Sequence, residues 1–141
     1  MEKNNEPKLS GVLYSQVDFI WMEVRDLIKK ALGYSDQAYA LQDILEGIKT
    51  RDLQLWTASR GQKTTTIMVT KIINYPQKKS LLIMLYAGES LKLMIQFKPV
   101  IYAWAKENGC CEVQIYGRMG WEKMLGNEGY EKIYTVLRAK I

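Results

Sequence analysis

The run Ser80-Leu81-Leu82-Ile83-Met84-Leu85-Tyr86 is apolar on both of its alternating faces. A strand of that kind has to be covered on both sides, so it belongs in a sheet with helices on each face. Directly after it come Ala87-Gly88-Glu89-Ser90. Residues 90–107 follow, with Leu93, Met94, Phe97, Val100, Ile101 and Trp104 at helical spacing. A strand, a short glycine-containing loop and a helix form a setting in which free N–H groups at the helix start attract an anion. It is equally a plain way of turning a strand into a helix, and a lone glycine does not separate the two.

The rest of the chain supplies the partners for that strand. Residues 9–14 suit a short edge strand. Ser15 with Asp18 three residues later reads as a capping box. Phe19, Ile20, Met22, Val24, Leu27, Ile28, Ala31 and Leu32 then follow a helical stripe that Gly33 ends. Residues 41–50 read as a second helix, on Leu41, Ile44, Leu45 and Ile48. Residues 53–58 alternate, Ser59-Arg60-Gly61-Gln62 is a turn signal, and residues 64–75 are rich in Thr, Ile and Val. This predicts an antiparallel hairpin. Within 90–107, Pro99 predicts a kink in one long helix, because proline removes a hydrogen bond. Residues 112–116 alternate as a strand, 120–125 suit a short helix, and a last strand begins at Gly129-Tyr130, with Ile133, Leu137 and Ile141 on one face. The narrow polar face of 90–107 points either to deep burial or to self-association.

The order is (strand), helix, helix, three strands, helix, strand, helix, strand. It defines an α+β fold with a mixed, mostly antiparallel sheet and flanking helices. With 141 residues, 48% of them hydrophobic, the chain is sized for a single domain, expected over 9–141 after a flexible lead-in at 1–8. The lead-in is polar and has no apolar core of a secretory signal. No segment approaches the roughly 18–20 apolar residues of a membrane helix.

Composition narrows the chemistry. The chain contains no histidine. That removes Ser-His and Cys-His pairs, histidine metal sites and the commonest general base. No cysteine or carboxylate grouping has metal-ligand spacing, so no metal is expected. Cys110 and Cys111 are adjacent, which disfavours a disulfide between them and fits a reducing, cytoplasmic setting. Lys+Arg 20 against Asp+Glu 15 leaves +5, but the basic residues are scattered, so nucleic acid is not the expected partner.

The element order, the 86–91 loop and the stretch Trp121-Glu122-Lys123-Met124-Leu125-Gly126-Asn127-Glu128-Gly129-Tyr130 together resemble the GNAT superfamily of acetyl-CoA-dependent N-acetyltransferases. The second half also resembles small GNAT-like proteins of bacteriophages and prophages. The resemblance covers about residues 9–141. It implies acetyl-CoA as cofactor, lying between the central strand and residues 112–116. The pyrophosphate would rest on the backbone of Tyr86, Ala87, Gly88, Glu89, Ser90 and Leu91, with Arg118 or Lys123 meeting a nucleotide phosphate.

Departures from the family pattern are concentrated at those positions. The family loop resembles Gln/Arg-x-x-Gly-x-Gly/Ala. Here it has one glycine, lacks the leading Gln or Arg, and places Glu89 where phosphates would lie, a charge that suits the helix dipole and opposes a second anion. The second motif resembles Asn-x-x-Ala-x-x-x-Tyr-x-x-x-Gly-Phe. Arg118, Trp121 and Leu125 stand at its asparagine, alanine and tyrosine. That tyrosine commonly protonates the leaving thiolate, and leucine has no proton to give. Tyr130 and Tyr134, with Tyr116, are the substitutes at hand. Glu89 and Glu112, which should flank the cleft, are the candidate bases.

Two functions follow. One is a GNAT-fold protein with a degenerate acetyl-CoA site, non-catalytic and acting by protein binding, in a phage virion, assembly or host-interaction role. Tyr34, Tyr39, Trp56 and Trp121 are its candidate surface aromatics. The other is an active acyl-CoA-dependent N-acyltransferase on an amine. A side chain filling the cleft favours the first; free backbone groups of the loop facing an open cleft favour the second.

Overall fold

The computed structural model describes residues 7–118 and 120–141. Of the lead-in expected at 1–8, residues 1–6 therefore lie outside the described residues. Five strands form one sheet in chain order: β1 (Leu9–Val12), β2 (Gln54–Arg60), β3 (Lys63–Asn74), β4 (Lys79–Ala87) and β5 (Glu112–Ile115). The first three pairings are antiparallel and β4–β5 is parallel. The architecture is α+β with a mixed sheet, as the sequence implies.

Both faces of the sheet are covered. On one face lie α1 (Val17–Leu32) and α2 (Leu41–Lys49), whose Val24, Ile28, Ile44 and Ile48 pack on Leu55, Val69 and Leu82. On the other lie α3 (Leu91–Gln96), α4 (Lys98–Glu107) and α5 (Trp121–Gly126), where Leu93, Phe97, Ile101 and Leu125 pack on Met68, Leu81 and Ile83. No helix among the described residues is long and apolar enough to cross a membrane.

The hairpin between β2 and β3 turns on Gly61, whose φ of 60° is open to glycine and costly for other residues. A bulge beyond Ala58 leaves Thr65 without a Cα partner in β2. A second bulge lies in β4, where Thr70 pairs Ile83 and Val69 pairs Leu85, so Met84 is the extra residue. A bulge bends its strand and raises its twist. The β4–β5 ladder ends at that point, with Ile83↔Ile115, and the two strands part beyond it.

Three sequence expectations are corrected. Residues 90–107 are two helices that meet at Phe97, and Pro99 lies in the first turn of α4. Proline is pre-organised for a helix start, so it begins a helix here instead of kinking one. The capping box at Ser15 is absent: a 3-10 turn at Tyr14–Gln16 leads into α1, and its N-cap residue Gln16 makes no side-chain cap. The last strand does not form. Residues 131–141 are irregular and exposed along their whole length.

Candidate functional site

The gap between β4 and β5 opens after the Met84 bulge. Tyr116 N–H still donates to the Ile83 carbonyl, at 3.1 Å, and closes its floor. Above that point, Arg118 reaches across from the β5 side and donates from Nη2 to the Tyr86 main-chain carbonyl. Its guanidinium lies 3.9 Å from the Tyr34 ring centroid and 4.9 Å from that of Trp121. Trp121 in turn meets Tyr86 edge-on at 6.3 Å. The cation is therefore held by a carbonyl and two aromatic faces, a stable setting for a guanidinium that has shed part of its water. The cavity bounded by Met68, Ile83, Met94, Leu125 and Tyr130 has a volume of about 10 Å³, enough for little more than one water.

The loop is equally committed. Glu89 accepts from Arg60 Nε at 2.8 and 2.9 Å and from Thr65 Oγ1 at 3.2 Å. Arg60 first, then Thr65, hold its carboxyl below the usual carboxylate range, so it is charged. Ser90 caps α3, its Oγ accepting from Leu93 N–H at 3.2 Å. The Ser90 carbonyl accepts from the Tyr86 hydroxyl at 2.9 Å. Burial, and secondarily Glu89, push that hydroxyl up to about 12. Gly88 has a steric role: a Cβ there would lie 2.5 Å from Thr66 Oγ1 and 2.9 Å from Thr66 Cβ. Close approach of loop to β3 thus accounts for this glycine without a phosphate.

The structure brings Tyr86, Ala87, Gly88, Glu89, Ser90, Leu91 and Arg118 to one end of the sheet, as the sequence implies. It separates the other candidates. Glu112 is paired with Ser80, at the opposite end of β4, about 23 Å of strand from Ala87 by the usual rise. There it accepts from Ser80, Lys78 and Gln114, which draw its carboxyl down to about 2. It does not flank the cleft. The Tyr130 hydroxyl accepts from Tyr102 at 2.9 Å, and burial and then that bond push it above the ordinary tyrosine range. Tyr134 lies exposed on the C-terminal segment. Leu125, where the family tyrosine would stand, is buried in the core.

Of the candidate surface aromatics, Tyr34 and Tyr39 are exposed and Trp121 is half-buried. Trp56 is corrected: it is only 4% exposed, stacks edge-on against Trp104 at 5.5 Å and donates from Nε1 to Thr70. Sequence reasoning missed Arg60 and Thr65, which hold Glu89, and gave Tyr34 only as a surface aromatic, not as a ring over Arg118. A signal for Thr65 existed, since pairing β3 antiparallel to β4 places Ile67 opposite Ala87 and so brings Thr65 toward the loop. A larger concavity, about 470 Å³, is lined by Arg51, Asp52, Gln54, Lys71 and Lys79 and contains none of the expected site residues.

Comparison with solved structures identifies the class of fold. The chain is similar to an aminoglycoside acetyltransferase from an uncultured soil metagenomic sample, solved with sisomicin, at TM-score 0.71 and 9% identity over 98% of each chain. It is similar to aminoglycoside N-acetyltransferase AAC(6')-Iy, solved with CoA, at TM-score 0.70 and 11% identity, covering 96% of this chain and 94% of that one. An integron cassette protein from the mobile metagenome of V. cholerae matches at TM-score 0.66 and 12% identity, over 96% and 93%. No family model and no curated protein matches the chain. The chain thus has the GNAT acetyltransferase fold.

Proposed function

We propose that this is a GNAT-fold protein whose acyl-CoA site has been closed by its own side chains, and that it acts by binding another protein. The observation that carries the reading is the Arg118 guanidinium across the β4–β5 gap, bound to the Tyr86 carbonyl and covered by Tyr34. An acyl-CoA chain entering that gap would have to displace a cation from a carbonyl and two rings. Glu89, charged and fixed by Arg60, would then face the incoming pyrophosphate. Neither the half-buried Tyr130 hydroxyl, bonded to Tyr102, nor the exposed Tyr134 supports a thiolate-protonating role.

Exposed Tyr34, Tyr39 and Tyr116 give the same end of the molecule the side chains that protein interfaces favour. The biological setting we propose is a phage or prophage virion, assembly or host-interaction protein in the cytoplasm or the particle, on the resemblance of the second half of the chain. The competing reading, an acetyl-CoA-dependent N-acyltransferase on an amine, has the fold and the CoA-bound neighbour in its favour. A thiol-release assay with acetyl-CoA and a panel of primary amines separates the two. Release at the enzyme-free rate is expected; release above it, saturating in amine, overturns the proposal.

A further inference from the structure

We infer that the step in the sheet beyond the start of β2 is an anion site for a small molecule carrying a phosphate or diphosphate. The step lies at the opposite end of β4 from the 86–91 loop, and it exists whether or not the cleft admits acyl-CoA. There β3 overhangs β2: Gln54, the first residue of β2, pairs with Thr70, and residues 71–74 pair only with β4. Ile72 packs toward one face of the sheet and Ile73 toward the other, so the overhang draws side chains from both. Arg51, Asp52, Gln54, Lys71, Asn74 and Lys79 line a concavity of about 470 Å³, a size that suits a small ligand.

Buried contacts decide what Gln54 offers. Trp56 Nε1–H can only donate, and it donates to Thr70 Oγ1 at 3.1 Å. Thr70, fully buried, passes its own proton to Gln54 Oε1 at 2.8 Å. That relay takes up the amide oxygen and leaves Gln54 Nε2, a pure donor, with no protein partner among the described residues. Arg51 follows the C-cap of α2 at a φ of 69°, a left-handed position where glycine is ordinary and a side chain is strained. Its guanidinium lies 4.5 Å from the Tyr14 ring centroid, a contact that steadies the group and leaves its N–H donors free. Among the described residues, neither Lys71 nor Lys79 has a carboxylate within ion-pair distance. Asp52 is the one carboxylate in the lining, and it accepts from Thr50 Oγ1 at 3.3 Å. Glu112, the partner of Ser80 across β4–β5, is taken by Lys78 and Ser80. Three cations and an amide donor against one carboxylate select an oxyanion of two or more charges. A phosphate has oxygens on every side, so donors spread around a concavity can share it. An acidic peptide strings single charges along a chain, whereas these cations are gathered in one place.

Titration of the isotope-labelled full chain with inorganic pyrophosphate, followed by amide chemical shifts in about 50 mM NaCl to limit screening, tests this. Saturable shifts confined to residues 51–54, 71–74 and 79 are expected, with a Kd below about 1 mM. Gln54→Glu keeps an oxygen for Thr70 and presents a second oxygen where the donor stood. It should weaken binding at least about tenfold. Lys71→Gln/Lys79→Gln should do the same, whereas Lys29→Gln/Lys30→Gln, on the exposed side of α1, should leave the affinity within about twofold. No saturation by about 10 mM pyrophosphate overturns the inference, as does an equal loss from the two lysine pairs. Tighter binding of hexaglutamate than of pyrophosphate at these residues overturns it in favour of an acidic peptide. Shifts centred on 86–91 overturn it too, and would count against the closed cleft as well. The wild-type shift map stands even if a variant fails to fold.

Discussion

The Arg118 guanidinium donates to the main-chain carbonyl of Tyr86, joining β4 to the segment after β5 across the gap where the two strands part. A carbonyl at a parted strand end needs either a ligand or a protein donor, because a buried acceptor without a partner is costly. In this chain a side chain takes the position. Tyr34 and Trp121 then cover the cation and leave it little freedom to leave.

Arg118→Ala should remove that bond and both ring contacts. The expected loss is about 2 kcal/mol, from one charge-assisted bond and two partly exposed cation–π contacts. Chemical denaturation measures it. Arg118→Lys should recover only a part, since an ammonium cannot lie flat between Tyr34 and Trp121 while reaching the carbonyl.

Gly88→Ala should be destabilising, because the new Cβ would overlap Thr66, which is fully buried in β3. The cost is expected at about 1–3 kcal/mol by urea unfolding. Combining it with Thr66→Ala should relieve the part of the penalty that comes from Thr66 Oγ1 and Cγ2, leaving the 2.9 Å approach of Thr66 Cβ. A double-mutant cycle with a coupling near zero would show that the clash is not the reason for this glycine.

Glu112 ties β5 to β4 through Ser80 and Lys78. Its carboxyl is drawn from an ordinary 4.5 to about 2 in the folded chain. A depressed folded value stabilises above the unfolded value and is lost as pH falls through the folded one. Stability should therefore decline between pH 4.5 and 2 by a share that Glu112→Gln abolishes. With the side chain 33% exposed, solvent screening reduces that share to about 1 kcal/mol. Thermal unfolding of both proteins across this pH window checks it.

Glu89→Gln should change stability only slightly, because its pair with Arg60 is half exposed and solvent-screened. Thermal unfolding in low and high salt measures this. The wild-type midpoint should fall slightly with salt and that of the variant should not.

Much of the fold was legible because local patterns decided it. The doubly apolar β4, the alternation of β2 and the Thr- and Ile-rich β3 each required the position they occupy. The position of the loop after Tyr86 was legible for the same reason. What escaped were contacts between distant residues. Arg118 has the chemistry of a phosphate ligand in the sequence, and only the meeting of residues 34, 86, 118 and 121 ties it to the Tyr86 carbonyl and two rings. The bulge at Met84, which parts the strands, has no residue signature in an unbroken apolar run. The last strand was misplaced because its alternation is real, while residues 131–141 run irregular and exposed and pack no apolar face on the sheet.

The most direct test of the proposal that the cleft is closed to acyl-CoA is calorimetric titration of the wild-type chain with acetyl-CoA, with desulfo-CoA as the control. The expected result is no saturable heat up to about 1 mM, which places any binding free energy weaker than about −4 kcal/mol. Saturable micromolar binding, shared by desulfo-CoA, would contradict it: Arg118 would then leave the Tyr86 carbonyl readily, and the loop would hold a pyrophosphate beside Glu89.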